Sequence, residues 1–309
     1  MEENKFKRML KYLGKTINYV QKKTLYPYTI IFFDIVWCFL RYGTTYNDYR
    51  IFEFYNIGGD LRKTYMSRRK YNKYKKKLVD ESITNVIEDK NLFLLRFKDY
   101  MKTDIFDTKK MNYKEFEIFS NENRKLLARS SSSSFVKSFK RFDLSNFRSP
   151  AFMNGAIQDN HLSLVQKDFI QHKALDDIAP LVIVNTHSVY NNGCDIVTST
   201  IKYKDGNEII NGYVDTKTGI IKGKFKDKDG QDYGEKFDGF QIPFYDRILS
   251  ITNDLCHELE EIKEVEWSFL VGSRGVYLVD ANVWSDYVFS QTPEFLKDKI
   301  GLLPYYKEL

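Results

Sequence analysis

Asp280 and Asn282 close the segment VEWSFLVGSRGVYLVDAN, Val265 to Asn282, and are the residues of this chain best suited to meeting a hard cation. The segment predicts two strands joined at Gly272-Ser273-Arg274-Gly275. Side chains alternate along a strand, which puts Val276, Leu278, Asp280 and Asn282 on one side. A carboxylate and an amide oxygen at one strand end suit Mg²⁺. The same Asp-Ala-Asn can equally act as a turn that caps the next element. Two earlier places carry chemistry of a related kind. Lys90 follows Asp89, an expected helix N-cap, and a helix N-terminus favours anions. The run Ser130 to Ser134 follows KLLA, Lys125 to Ala128, which reads as a short strand, and leads into Phe135-Val136-Lys137. Such a hydroxyl-rich loop can cradle polyphosphate or serve as a simple linker. The order lysine, loop, basic residue, late acid-plus-amide points to a nucleotide with its Mg²⁺.

The elements that must position these residues fall into two patterns. The first eighty residues read as helices, broken at Gly58-Gly59. Within them, Thr24 to Leu40 is apolar but shorter than a bilayer span and holds Pro27 and Asp34. A buried helix is expected there, with a surface-lying helix beside a basic flank as the alternative. The cluster from Arg68 to Lys77 reads as a solvated helix face, although it could draw anionic lipid. Phe93, Phe97 and Tyr100 fall at helical spacing. Beyond Leu162, strands are expected at Leu181 to Val184, Ile196 to Tyr203 and Ile209 to Val214, the last two joined by a turn at Lys204-Asp205-Gly206-Asn207. Residues 222–238 are rich in Lys, Asp and Gly and read as an exposed loop. Tyr245 to Ile262 predicts an amphipathic helix with Ile248, Thr252, Leu255, Leu259 and Ile262 on one stripe. Helices followed by mixed helix and hairpin-linked strands predict an α+β protein.

Composition narrows the classes. A length of 309 residues with 22 Tyr and 24 Phe argues for a folded chain with a substantial core. The three cysteines, Cys38, Cys194 and Cys256, are too few and too scattered for a disulfide framework or a zinc motif. A reducing cytoplasmic setting is expected, at the inner face of the membrane if the basic region meets lipid. The charged first 23 residues do not read as a secretory signal. No aromatic–basic recognition motif accompanies the lysines, so nucleic acid is not an expected partner. His172 and His187 read as structural, Trp267 and Trp284 as core residues, and Asn185-Thr186 as either cleft or strand-end groups.

Several stretches resemble the sugar-transfer-associated ATP-grasp family, relatives of the ATP-grasp carboxylate–amine ligases. They are DYRIFEFYNIGGDLRKTYM, VIEDKNLF around Lys90, FIQH ending at His172, VNT at Val184 to Thr186, VDTKTG from Val214, GFQIPFYD from Gly239, and VYLVDAN. The resemblance runs from about Tyr46 to Pro293. It implies an ATP-grasp fold of two α+β lobes, residues 81–160 gripping the nucleotide and 161–309 carrying metal and nucleotide, after a helical region at 1–80. It implies ATP and Mg²⁺ as cofactors, with Lys90, Arg129, Ser131, Ser132, Ser133 and Lys137 on the nucleotide and Asp280 and Asn282 on the metal. The implied reaction activates a carboxylate as an acyl phosphate for attack by an amine or hydroxyl. A small-molecule or sugar-linked substrate in cell-surface polysaccharide assembly is the implied setting, with peripheral membrane association. Against the family pattern, Arg129 replaces a lysine, serines replace loop glycines, Ser268 replaces an acid and Ser188 an arginine. These departures define the alternative, a degenerate relative that binds nucleotide or acts as a scaffold.

Overall fold

A computed structural model describes residues 5–78, 83–131, 135–227, 230–283, 287–296 and 298–308. The chain divides into two compact units, one of Met1–Leu78, Lys226–Asp232 and Asp286–Leu309, the other of Val79–Phe225 and Tyr233–Ser285.

The first unit is helical, with α1 (Lys5–Thr24), α2 (Tyr28–Tyr42), α3 (Tyr46–Ile51), α4 (Gly59–Arg62) and α5 (Arg68–Leu78). Gly43, at φ 72°, ends α2 in the left-handed conformation that glycine adopts without strain. Thr45 and Asp48 form a reciprocal capping box that starts α3. Ile17, Val20, Ile31, Ile35, Phe52 and Phe54 belong to its core. The C-terminal segment joins this unit through buried Gln291, which accepts from the Met66 amide at 2.7 Å and donates to the Met66 carbonyl at 2.9 Å.

The helix expected to be buried is only half so. α2 turns Ile31, Ile35 and Cys38 inward and leaves Ile30, Phe33, Trp37 and Leu40 exposed. A helix offers one stripe to its neighbours, and this one is apolar on both. Arg68, Arg69 and Lys73 are solvated on α5 as expected, whereas Lys75 is buried.

The second unit opens with α6 (Asn85–Glu88), α7 (Lys90–Arg96) and α8 (Lys98–Met101). Asp89 caps α7, accepting from the amides of Asn91 and Leu92. A four-stranded sheet follows, β1 (Ile105–Asp107), β2 (Lys125–Arg129), β3 (Lys140–Asp143) and β4 (Leu164–Lys167), in the order β1-β4-β2-β3. It packs on α9 (Tyr113–Glu122), with the short α10 (Phe135–Ser138) and then α11 (Pro150–Asp159) interleaved in the chain. A six-stranded sheet completes the unit: β5 (Val182–Tyr190), β6 (Cys194–Asp205), β7 (Glu208–Val214), β8 (Ile221–Asp227), β9 (Glu264–Gly272) and β10 (Gly275–Asn282), ordered β10-β9-β5-β6-β7-β8. Pairings within β5–β7 and β5-β9-β10 are antiparallel. The predicted α+β class and the helical N-terminal region are therefore observed.

One face of the larger sheet buries Val184, Ile201, Trp267, Phe269 and Leu278 against α12 (Tyr245–Glu258), whose Ile248, Thr252 and Leu255 are buried as their spacing predicts. The region read as a loop at 222–238 instead begins with β8. Ile221, Phe225 and Asp227 are buried while Lys222 and Lys224 alternate with them outward. β8 ends the sheet, and its backbone groups at Ile221 and Phe225 pair with Gly239, Phe240, Tyr233 and Gly234 of the segment that follows.

Candidate functional site

The β9–β10 hairpin forms as predicted, with its turn at Gly272–Gly275, but not with the predicted facing. The register pairs Leu278 with Phe269 and Asp280 with Ser268, a bulge falling between them at Val279. Phe269 and Ser268 are consecutive and point to opposite faces, so their partners do too. Val276 and Leu278 face the α12 core, whereas Asp280 and Asn282 share the opposite face with Ser268 and Glu266. A single extra residue thus lifts the carboxylate out of the apolar core.

On that opposite face Asp280 collects three groups from distant parts of the chain. Lys90 Nζ, at the start of α7, lies 2.5 Å from Asp280 Oδ1 and also donates to the Ala281 carbonyl at 3.2 Å. The Phe135 amide, at the start of α10, donates to Oδ2 at 2.9 Å. Arg129, at the end of β2, donates from Nη1 to the Val279 carbonyl at 2.9 Å and stands 3.8 Å from Oδ1. All three charged side chains are more than nine-tenths buried. Burial pulls the Arg129 guanidinium below its ordinary pKa, and the charge of Asp280 works against that pull. Among the described residues, Arg129 Nε and Nη2 have no hydrogen-bond partner.

Three of the expected site residues are thereby brought together. Asn282 lies half-buried opposite Glu266, Ser131 is half-buried just beyond Arg129, and Lys137 is exposed on α10. Ser132 and Ser133 lie outside the described residues, as does Trp284. Trp267 is core, its Nε1 donating to Ser188 Oγ at 2.9 Å. His172 caps a short helical turn, accepting from the Ala174 amide, and His187 Nε2 lies 2.9 Å from Glu264 Oε1. Asn185 faces Ser268 across β5 and β9 and donates to Glu266 Oε1.

Two groups were not anticipated. Glu266 receives Lys202 Nζ at 2.9 Å, with both side chains mostly buried on the Asp280 face. The signal was present in EVEWSFLVG, where Glu264, Glu266 and Ser268 recur at every second position of an otherwise apolar strand. The other is a cavity of about 400 Å³ lined by Thr103, Gln166, Phe169, Leu270, Tyr277 and Val279 among others. Phe169 and Tyr277 meet edge-on at 5.2 Å over Gly272, where a Cβ would come within 2.9 Å of both rings. The exposed side chains of Lys102, Lys167 and Arg274 add positive charge to its lining. Val279 joins the two features: it lines the cavity and its carbonyl receives Arg129.

The cavity has room for an aromatic or heterocyclic ring, and the buried cluster beyond Val279 offers groups that can meet an anion. The two unused donors on buried Arg129 suit phosphate oxygens. A resident cation is fitted less well, because both Asp280 oxygens are engaged. Among the described residues, no three His, Cys, Asp or Glu side chains cluster to hold a metal.

No family model matches the sequence, and no curated protein matches it. Solved structures do. The chain is similar to ATP-grasp ligase PsnB complexed with a precursor variant, Mg and ADP, at TM-score 0.40 and 8% identity over 70% of this chain and 56% of that one. It is similar to D-alanyl-alanine synthetase A from Vibrio cholerae at TM-score 0.40 and 12% identity, over 72% and 60% of the two chains. D-alanine–D-alanine ligase from Bacillus anthracis gives TM-score 0.39 and 14% identity, over 73% and 70%. The chain thus spans a little over half the length of the first two. At this level of likeness, none of the chemistry rests on these proteins.

Proposed function

We propose that the chain is an ATP-grasp-type protein that binds ATP and uses it to join a carboxylate to an amine or hydroxyl acceptor, in cell-surface polysaccharide assembly. The observation that carries the nucleotide is buried Arg129, with two unused donors, beside an aromatic-lined cavity. In this reading the base occupies the cavity lined by Phe169 and Tyr277 and the phosphates reach Arg129 and Lys90. Mg²⁺ arrives as the nucleotide's own counter-ion, with Asp280 and Asn282 the residues that would meet it. The site's contribution is positioning and charge neutralisation of a phosphoryl group passing to the carboxylate. The motif resemblance, from DYRIFEFYNIGGDLRKTYM to VYLVDAN, supports the ligase chemistry and its polysaccharide setting.

One specific observation favours a second reading, a degenerate relative that binds nucleotide without turnover. Asp280 is already neutralised by Lys90, and Ser268, directly across the hairpin, supplies no second acid.

A thermal-shift titration with ATP and Mg²⁺ tests the shared premise. Saturation at one hundred times Kd stabilises by about 2.7 kcal/mol, and Arg129→Met is expected to abolish the shift. Absence of any shift in the wild type rejects both readings. Binding followed by acceptor-dependent ADP release selects the ligase, and binding with no release across a broad panel of acids and acceptors selects the degenerate form.

A further inference from the structure

The outward stripe of α2 is among the largest exposed apolar features of the described residues. Ile30, Phe33, Trp37 and Leu40 are 56%, 67%, 57% and 72% exposed and recur every three or four residues. The stripe continues into the corner before the helix, where Leu25 is 89% exposed. Leu25 adopts φ 61°, a conformation uncommon for a bulky residue. It is held there by its own amide on the Gln21 carbonyl at 2.9 Å, while Thr24 Oγ1 binds the Val20 carbonyl at 2.8 Å and receives the Tyr26 amide. The fold thus fixes a leucine outward at an apex, where soluble proteins place small or polar residues.

The acid of α2 does not interrupt this surface. Asp34 turns inward, where Arg62 grips it through two donors at 2.6 and 2.9 Å and the Tyr49 hydroxyl donates at 2.7 Å. The outward stripe is therefore uncharged, and its flanks are basic. Residues 5–33 contain seven Lys and Arg and no Asp or Glu. Lys22 and Lys23 are exposed just before the corner, and Arg41 is exposed near the far end of α2. No single described helix is long and apolar enough to cross a bilayer, and the chain bends by 118° between α1 and α2. That bend suits two helices lying along a surface.

We propose that the outward face of α2, with the Leu25–Tyr28 corner, seats in the interfacial layer of an anionic bilayer. An uncharged stripe of Ile, Phe, Trp and Leu enters the headgroup–acyl boundary while the lysines meet acidic headgroups. Charge complementarity selects lipid as the occupant, since a second copy of this chain would bring the same positive charge to the contact.

Co-sedimentation of the full chain with phosphatidylcholine vesicles, with and without phosphatidylglycerol, tests the assignment. Binding is expected on the mixed vesicles and roughly tenfold weaker on the neutral ones. Tryptophan emission should shift to the blue on binding, and Trp37→Phe should remove that shift. Phe33→Ser with Leu40→Ser should abolish binding with an unchanged melting temperature, because both side chains are exposed. Failure to bind mixed vesicles overturns the proposal, as does a double variant that binds like wild type. So does a dimer in solution that the double variant dissociates in the absence of any vesicle binding.

Discussion

Two arginines are drawn into the interior, one in each compact unit, and they are treated in opposite ways. Arg62 spends its donors fully, on Asp34 and on the carbonyls of Phe54 and Ile57 at 2.6–3.0 Å. Burial is the largest influence and works against its charge, but the hydrogen-bonded Asp34 together with Cys38 and Tyr49 outweighs it and holds the pKa above the ordinary value. Arg129 is more deeply buried, commits one donor to a carbonyl and stands off from its carboxylate, and its pKa is pulled down instead. A saturated centre stabilises a fold. A centre with buried donors to spare is arranged for something that arrives later. The difference teaches that burial of an ion pair says little about its purpose, whereas counting its satisfied donors says a good deal.

The largest test of this contrast is Asp280→Ala, which takes the carboxylate from Lys90 and removes the counter-charge beside Arg129. A loss of about 3–5 kcal/mol in chemical denaturation is expected, and replacing both members of the pair, as Lys90→Met with Asp280→Leu, should recover most of it. Asp34→Ala should cost less, about 1–3 kcal/mol, because Arg62 keeps its carbonyl partners and Asp34 is partly solvated. Equal losses at the two sites would erase the distinction. Gly272→Ala drives a methyl into Phe169 and Tyr277, at a cost of about 1–3 kcal/mol, and should weaken nucleotide binding by more than its stability effect explains. Arg129→Met should cost about 0.5–1.5 kcal/mol, since Asp280 keeps Lys90 and one hydrogen bond to the Val279 carbonyl is lost, while removing the proposed anion site, and a large loss would make Arg129 as structural as Arg62.

The smallest effect concerns pH. Burial pushes the hydroxyls of Tyr65 and Tyr245, one in each unit, up to about 12. Below pH 10 both remain neutral folded or unfolded, and they add no slope. Between about pH 10 and 12 the unfolded chain releases those protons first, so stability should fall as pH rises. Ultraviolet titration beside denaturation should find phenolate absorbance lagging free tyrosine, and a normal titration of either residue would refute its burial.

Much of this arrangement was legible in the sequence. The Asp89 cap, the stripe of α12 and the two hairpins carry their signals within a few residues, in side-chain chemistry and periodicity. β8 reads as a loop because Lys and Gly dominate its composition, although IKGKFKD alternates with the period of a strand. The exposure of α2 is not legible, because an apolar run does not say how many of its faces find neighbours. Joining Lys90, Arg129 and Asp280 depends on contacts 145 or more residues apart in sequence, which no local pattern encodes. The bulge at Val279 has no signature either, since VYLVDAN reads as a regular strand and only its pairing with β9 exposes the extra residue.

That bulge also acts as a lock on alignment. On one side of Val279 the strand is in phase with the apolar core, and on the other it is in phase with the polar face. Sliding β10 by one position along β9 would put Asp280 among Trp267 and Phe269 and turn Leu278 outward, penalising both halves at once. An even alternation would have left the hairpin several nearly equivalent alignments. With its phase broken once, only one alignment satisfies both ends.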